Sequence, residues 1–172
     1  MKPAQAQLAL VRVDNRLVHG QVLEAWLPAI DAHGIVVADD EAAHNTLVRS
    51  AMSLAIPSRV SFQVLRVAEA AALLRPGGKG APSVRTLLLL RDVRDAVALV
   101  EGGVRPERLN LGNVHFGSGR RQVSASVYLD AAEMAQLEQL AASGVEIEAR
   151  AVPAEAPVPL ATLKKRFNSG YP

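Results

Sequence analysis

The residues best suited to chemistry occupy one short polar stretch, which contains Asp14, Arg16 and His19. A histidine side chain can act as a nucleophile, and an arginine three residues before it can hold phosphoryl oxygens with its planar fork of donors. Histidine also titrates near neutrality, so a neutral ring is available to attack. This spacing makes a phosphohistidine at position 19 physically reasonable, with Arg16 neutralising the phosphoryl charge.

Two predicted elements flank this stretch. An apolar run at residues 8–13 is predicted to be a strand, and helical periodicity covers residues 21–30. In an open α/β sheet, ligands bind in the crevice beyond the carboxyl ends of the strands. The helix that follows presents free backbone N–H groups and the positive end of its dipole, which favour an anion. The polar stretch therefore lies where a phosphate would bind.

Four neighbours of the histidine and arginine have both functional and structural interpretations. Asp14 either orients one of these two side chains through a hydrogen bond or serves in a turn or helix cap. Gly20 either allows a phosphate to approach the backbone closely or forms a tight turn. Gln21 either donates to the phosphate or supplies ordinary first-turn polarity. Arg12, at the strand end, is a candidate for phosphate binding or for a structural ion pair.

Polar residues beyond two other predicted strands are secondary candidates. Asp39 and Asp40 follow the second strand, where they either cap the next helix or face the crevice. The loop after the fifth strand also begins at a carboxyl end, and its two arginines are candidates for binding an acidic partner or assisting the phosphate. The candidates in this loop are Asn113, His115, Arg120 and Arg121.

Apolar runs alternate with amphipathic segments along the rest of the chain. Strands are predicted at residues 8–13, 34–38, 61–65, 86–90, 109–111 and 145–152, with a short seventh near 127–129. The strand at 145–152 alternates apolar and charged residues, which predicts a half-exposed position near a sheet edge. Helices are predicted at residues 21–30, 41–54, 67–74, 93–101 and 131–142. This alternation predicts an α/β fold with one mostly parallel open sheet and helices on both faces.

One domain spanning residues 1–172 is expected, because the length suits a single core and no internal repeat is visible. Residues 1–7 are predicted to form a loose lead-in. Residues 153–172 are predicted to form an extended, proline-containing link followed by a short basic segment at 160–167.

Composition narrows the class of protein. The hydrophobic share is 49% but the aromatic share only 3%, which indicates an aliphatic core of the kind found in buried parallel sheets. A net charge of +2 does not suggest a nucleic-acid binder. With no cysteine and no pair of histidines at ligand spacing, no metal site is expected. The absence of a leader or a long apolar run favours a cytoplasmic protein.

Residues 12–22 read Arg-Val-Asp-Asn-Arg-Leu-Val-His-Gly-Gln-Val, with Trp26 shortly after. This string closely resembles the signature of IIB components of the mannose/sorbose family, which belong to the bacterial phosphoenolpyruvate-dependent sugar phosphotransferase system. That family usually reads Arg-Ile-Asp-Asp-Arg-Leu-Ile-His-Gly-Gln-Val, so Asn15 replaces the second aspartate. Residues 100–104, 109–116 and 119–124 are similar too, and the resemblance covers roughly residues 8–165.

The resemblance implies a seven-stranded sheet with one antiparallel edge strand. It also implies that His19 accepts phosphate from a phosphohistidine of the IIA component and passes it to a sugar during uptake through the membrane subunits IIC and IID. No cofactor is expected, because the donor is already an activated phosphoramidate. The family is associated with phosphorylation at Nδ1. Neither the sugar nor the oligomeric state follows from the sequence, although a homo-oligomer is compatible with an edge strand and an aliphatic helix face.

Two alternatives stay open. The first is a regulatory phosphoprotein of the same fold that keeps the phosphorylated histidine but transports nothing. Asn15 and the segment Arg91-Asp92-Val93, where the family often carries Asn-Pro, point in this direction. The second is a small-anion-binding module without turnover. A nucleotide-binding enzyme is disfavoured, because no glycine-rich fingerprint follows the first strand.

Overall fold

The computed structural model describes residues 7–172, so all but the last residue of the predicted lead-in lies outside the described part. The first helix is a π-helical segment, Val22–Trp26, that continues into a short α-helix, Leu27–Ala29, and the two together are α1. The other helices are α2 Asp40–His44, α3 Thr46–Ala55, α4 Val67–Leu74, α5 Val93–Glu101, α6 Ala131–Ala142 and α7 Leu160–Ser169. The strands are β1 Leu8–Asp14, β2 Gly34–Ala38, β3 Ser61–Leu65, β4 Thr86–Leu90, β5 Arg108–Asn113, β6 Arg121–Gln122, β7 Tyr128–Leu129, β8 Glu146–Ala149 and β9 Val158–Pro159.

Seven of these strands form one sheet in the order β3-β2-β4-β1-β5-β8-β9. All neighbouring pairs are parallel except β8 and β9, which are antiparallel at one edge. The predicted α/β fold class is therefore confirmed. In this order β1 lies in the middle, with β4 and β5 on its two sides. The loop after β1 is thus flanked by the loops after β4 and β5.

The core has two layers because the central strands are buried on both faces. In β4, Leu88 and Leu90 pack with α4, α5 and α6 on one face. Leu87 and Leu89 face the other side, where the buried Trp26 of α1 lies. The four consecutive leucines of β4 are fully buried, as expected for a central parallel strand.

Two predicted elements differ from the structure. The helix predicted at 41–54 is two helices, because Asn45 has extended backbone angles and its side chain accepts a hydrogen bond from the N–H of Val48. Asparagine is a strong N-cap, so it ends one helix and begins the next. The short strand predicted near 127–129 exists as β7, but it pairs with β6 in a separate two-stranded ribbon.

The seventh strand of the main sheet is β9, within the segment predicted to be only a link. The basic segment that follows it is helical and forms most of α7. Proline is tolerated in β9 because this is an edge strand. Its pairing with β8, together with α7, covers β8, whose Ile147, Glu148 and Ala149 are buried. The predicted half-exposure of the strand at 145–152 is therefore wrong, whereas its predicted position near a sheet edge is confirmed, since only β9 lies beyond it.

A buried arginine crosses one face of the sheet. The guanidinium of Arg12 donates to Asn110 Oδ1 at 2.6 Å and to the backbone oxygens of Arg150 and Ala151 at 3.0 and 2.9 Å. It also stacks on the ring of Trp26, 4.7 Å from the centroid. These contacts tie β1 to the end of β8.

Gly112 provides the space for this guanidinium. A Cβ atom at position 112 would lie 2.0 Å from Cζ of Arg12, whose side chain is fully buried. We expect Gly112→Ala to lower the free energy of unfolding by about 3 kcal/mol, since neither group can move without breaking buried hydrogen bonds. Urea unfolding measures this change.

Gly117→Ala is the matched control in the following loop, because its added Cβ would meet only the flexible side chain of Arg120, whose nearest atom is Cδ at 3.4 Å. This variant should stay within about 0.5 kcal/mol of the wild type. Equal stability of the two variants would show that Arg12 does not lie against Gly112.

Candidate functional site

The loop after β1 is organised around the carboxylate of Asp14, which has no exposed surface. Its Oδ2 atom accepts from NH2 of Arg12 at 3.0 Å and lies 2.8 Å from Nε2 of His19. Its Oδ1 atom accepts from the backbone N–H of Arg16 at 3.0 Å and from Nε of the same residue at 3.4 Å. The structure therefore brings together three of the predicted site residues, with Arg12 behind them.

The contact with Asp14 defines which ring nitrogen of His19 is free. An ionised carboxylate only accepts hydrogen bonds, so Nε2 of His19 carries the proton in this contact. Burial raises the pKa of Asp14, but the hydrogen bond with His19 and the charge of Arg12 outweigh it and leave the pKa below its ordinary value. Asp14 is thus an anion at neutral pH, and the lone pair of the neutral ring lies on Nδ1.

A left-handed residue makes the turn between arginine and histidine. Leu17 has φ of 56° and a side chain that is buried in the core, and its N–H donates to the backbone oxygen of Asp14 at 2.9 Å. Such a left-handed backbone conformation costs a residue other than glycine about 1–2 kcal/mol. The buried leucine side chain holds this turn in place, and the turn returns His19 to the carboxylate that already binds Arg16.

Helical backbone begins at Gly20, directly after the histidine, and leads into α1. The backbone oxygen of His19 accepts from the N–H groups of Val22 and Leu23 at 3.0 and 3.2 Å. The N–H groups of Gly20 and Gln21 precede these bonds, at the helix end where intrahelical partners are missing. A Cβ atom on Gly20 would meet nothing within 4 Å, so the fold itself does not require glycine here. The backbone of Gly20 is thus open to approach on this side.

Arg16 reaches from the buried carboxylate to the surface. Its side chain is 38% exposed, and its NH2 donates to Oε1 of Gln21 at 2.8 Å. The guanidinium therefore lies beside the start of α1, where it adds a full positive charge to the helix dipole. This combination can hold a dianionic phosphoryl group next to the histidine.

Asn15 joins three loops at the carboxyl edge of the sheet. Its N–H donates to the backbone oxygen of Asn113 at 2.9 Å, and its Nδ2 donates to that of Arg91 at 2.8 Å. Its Oδ1 accepts from the N–H of His115. An aspartate could not donate to the Arg91 oxygen, so the amide suits this position. Sequence reasoning missed this role, although the departure of Asn15 from the family pattern marked the position.

Several predicted site residues lie away from the histidine or face elsewhere. Arg12 was a candidate for phosphate binding, but its full burial and its bonds within the core make it a structural ion-pair partner. Asp39 caps α2 by accepting from the N–H of Ala42 at 2.7 Å. Its carboxylate also accepts from Nε and NH2 of Arg91 at 2.7 and 2.9 Å. Asp40 accepts from the N–H of Val67 at 2.8 Å.

The loop after β5 contributes backbone rather than charge. Arg120 donates to Glu133 Oε1 at 2.6 Å and to the backbone oxygen of His115 at 2.9 Å. Arg121 donates to the backbone oxygen of Phe167 at 3.1 Å and stacks on its ring. Neither guanidinium is directed at His19, so the expectation that they assist the phosphate does not fit these contacts.

Comparison with known proteins agrees with this site. A family model described as "PTS system sorbose subfamily IIB component" matches residues 8–169. The N-acetylgalactosamine-specific phosphotransferase enzyme IIB component 1 of Escherichia coli (strain K12) is 33% identical over 86% of this chain and 92% of that protein. The mannose-specific EIIAB component of the same strain is 33% identical over 84% of this chain and 44% of its own, longer chain.

Solved structures show the same fold. The N-acetylgalactosamine-specific IIB component 1 from Escherichia coli matches with a TM-score of 0.81 at 31% identity, over 87% of this chain and 97% of that one. The IIBSor domain of the sorbose permease from Klebsiella pneumoniae matches with a TM-score of 0.83 at 25% identity, over 92% and 97% of the two chains.

The sheet with a histidine and an arginine beyond its central strand, taken with these matches, defines a IIB component of a sugar phosphotransferase system. Within that class, the chain belongs to the mannose/sorbose family, as the resemblance predicted. Components of this family are phosphotransferases of the sugar phosphotransferase system, and this membership supports a phosphocarrier role in sugar uptake. Within residues 7–172, no helix combines the length and apolarity needed to cross a bilayer.

The ion pair of Asp39 and Arg91 makes stability depend on pH. Burial raises the pKa of Asp39, but its hydrogen bond with Arg91 outweighs this and holds the pKa below the ordinary 3.8. A carboxyl group whose pKa is lowered by folding stabilises the folded state at any pH above its pKa in the unfolded chain. This contribution is lost as the pH falls through the pKa of the folded state. We expect Arg91→Met to cost about 1 kcal/mol at pH 7, because solvent screens a partly exposed arginine.

Thermal unfolding at pH 7 and pH 3 measures this difference. It should narrow at the lower pH, because below 3.8 the unfolded chain binds a proton on Asp39 more tightly than the folded wild type does. Arg94→Met is the control, since Arg94 is 80% exposed and its contact with Asp92 is 3.3 Å long. A constant difference between wild type and Arg91→Met at both pH values would contradict the assignment.

Proposed function

We propose that this chain is a cytoplasmic phosphocarrier that takes a phosphoryl group from the phosphohistidine of a IIA protein or domain onto Nδ1 of His19. It then passes the group to a sugar hydroxyl presented by the membrane subunits IIC and IID. The observation that supports this proposal is the contact of 2.8 Å between Nε2 of His19 and the buried, anionic Asp14. That contact leaves the other ring nitrogen as the nucleophile.

The first transfer exchanges one nitrogen–phosphorus bond for another. The lone pair on Nδ1 of His19 attacks phosphorus, the N–P bond of the donor breaks, and its electron pair returns to the donor ring. In the second transfer the sugar oxygen attacks phosphorus, the bond to His19 breaks with its pair returning to Nδ1, and the hydroxyl proton is released to water. The donor is already activated, so neither step needs a nucleotide.

Three groups of this chain supply the electrostatics. A ring with phosphorus on Nδ1 and hydrogen on Nε2 is a cation, and the carboxylate of Asp14 compensates that charge. The guanidinium of Arg16 and the N–H groups of Gly20 and Gln21 stabilise the phosphoryl oxygens, since phosphoryl transfer depends mainly on positioning and charge. Asp14 and Arg16 thus stabilise opposite charges on the two halves of one phosphohistidine.

The names of the relatives support the partner and the class of acceptor. The E. coli relative named EIIAB carries both designations in one protein, which supports a IIA partner. Other relatives are named for N-acetylgalactosamine, fructose and sorbose. The proposal therefore specifies a sugar hydroxyl as the acceptor and assigns the choice of sugar to the membrane subunits.

A regulatory phosphoprotein with the same histidine is the alternative in which only the first transfer occurs. Asn15 was one of two signs of such divergence, but the hydrogen bond from its side chain to the backbone oxygen of Arg91 gives Asn15 a structural role. This bond removes one argument for the alternative. Transfer of the label onward to sugar, in membranes that contain IIC and IID, separates the two functions.

The phosphorylated residue can be tested by replacing two histidines separately. Incubation with phosphorylated IIA should add one phosphoryl group to the wild type at an acid-labile position. His19→Ala should take up none, because the nucleophile is missing. His115→Ala is the matched control, since this histidine is exposed at the same rim, and it should be labelled like the wild type. Intact-protein mass spectrometry at neutral pH measures the label.

Two results would contradict the proposal. The first is a label on His19→Ala, which would place the phosphoryl group elsewhere. The second is an unlabelled but folded wild type, which would favour an anion-binding module without turnover.

The role of Arg16 in the transfer can be tested by removing its charge. Arg16→Gln should slow phosphorylation by about a hundredfold, the size of effect seen when one preorganised electrostatic donor is removed. Arg108→Gln is the control, because Arg108 is 45% exposed and pairs with Glu146 at the other end of the sheet. Quenched-flow labelling gives both rates. Equal rates for the two variants would rule out a contribution of Arg16 to the transfer.

A further inference from the structure

We propose that Phe116 is a docking residue for the phosphorylated donor protein, so that the chain accepts phosphate efficiently from a protein surface rather than from a small phosphoramidate. This inference rests on the proposed function, since it names the contact by which the IIA partner reaches His19. It adds a recognition residue outside the groups that handle the phosphoryl group.

Phe116 is unusual in its exposure. Among residues 7–172, three large hydrophobic side chains are exposed, Leu47 at 79%, Leu54 at 89% and Phe116 at 76%. Both leucines belong to α3, which is next to the β3 edge of the sheet. Phe116 alone follows β5, at the carboxyl edge where the histidine lies. An exposed aromatic side chain beside a reactive group is a typical interface anchor.

The register of β1 and β5 bounds the distance between the site and Phe116. Asp14 pairs in register with Asn113, and neighbouring strands are about 5 Å apart. Phe116 follows Asn113 by three residues, which can span at most about 10 Å. A standard interface buries about 800 Å² per partner, equivalent to a disc of about 16 Å radius. The backbone of Phe116 is therefore within about 15 Å of that of Asp14, which is inside the radius of a donor surface centred on this site.

The backbone next to Phe116 is held in place because the N–H and the carbonyl oxygen of His115 are both hydrogen-bonded. Its N–H donates to the side chain of Asn15 in the site loop, and its oxygen accepts from Arg120 at 2.9 Å. The ring of Phe116 packs edge to face on Tyr128, with centroids 5.7 Å apart and an interplanar angle of 86°. A side chain ordered in this way loses little freedom when a partner covers it, so more of its burial energy appears as affinity.

The chemistry of the first transfer selects a protein as the occupant. Both reacting groups are side chains, and in-line transfer between two rings brings the surfaces that carry them into contact. The same edge of the sheet also carries the half-exposed guanidinium of Arg16. The aromatic ring of Phe116 and the positive charge of Arg16 together fit a donor face that has an apolar patch beside its negatively charged phosphoryl group.

Initial rates with two donors test the assignment. With phosphorylated IIA, Phe116→Ala should raise the donor concentration for half-maximal rate about tenfold and leave the maximal rate unchanged. With phosphoramidate, which needs no protein surface, the variant should be labelled at the wild-type rate. Leu54→Ala is the matched control, because it removes an equally exposed apolar side chain from α3, and it should match the wild type with both donors.

Five outcomes would overturn the assignment. Three come from the initial rates: wild-type behaviour of Phe116→Ala with phosphorylated IIA, an equal loss with both donors, and the same loss in Leu54→Ala. The fourth is a change of mass in light scattering that shows Phe116 to bind a second copy of this chain, and the fifth is a defect confined to sugar phosphorylation by membranes containing IIC and IID. Failure of the wild type to be labelled by either donor would instead overturn the proposed function.

Discussion

The buried carboxylate of Asp14 is the group on which the site depends. A carboxylate without exposed surface is stable only when it is paired and hydrogen-bonded. Arg12 pairs with it from within the sheet, while His19 and Arg16 donate to it from the loop. Because one carboxylate organises all of these donors, the imidazole and the surface arginine have a defined relation before any partner binds. Arg12 itself depends on Asn110 and on the backbone at the end of β8.

The position of β1 in the sheet explains why this loop is well supported. Its neighbours β4 and β5 end beside it, so their loops supply backbone oxygens and N–H groups to the same edge. Asn15 uses its donors and its acceptor to join these loops. The proposed docking residue is one position from the N–H that Asn15 binds. Support for the catalytic loop and presentation of Phe116 therefore come from the same hydrogen bonds.

Much of this arrangement was predictable from sequence, because strongly apolar runs such as β4 and the polar stretch after β1 have local signals. The association of Asp14 with His19 was predicted as one of two roles for the aspartate. Other features depend on tertiary contacts. The two-residue strand β9 ends in a proline and is defined only by its pairing with β8, and the break at Asn45 depends on one side-chain cap. The burial of Arg12 could not be predicted, since its partners Asn110 and Ala151 are 98 and 139 residues away along the chain.

The close approach of Arg12 to Gly112 also limits how this chain can diverge. The flat guanidinium fills the volume that any side chain at position 112 would need. A lineage that keeps arginine at position 12 is confined to glycine at position 112. A larger residue at position 112 must arise together with a shorter residue at position 12. The two positions are thus expected to drift as a linked pair among distant homologues, although they lie far apart in the gene.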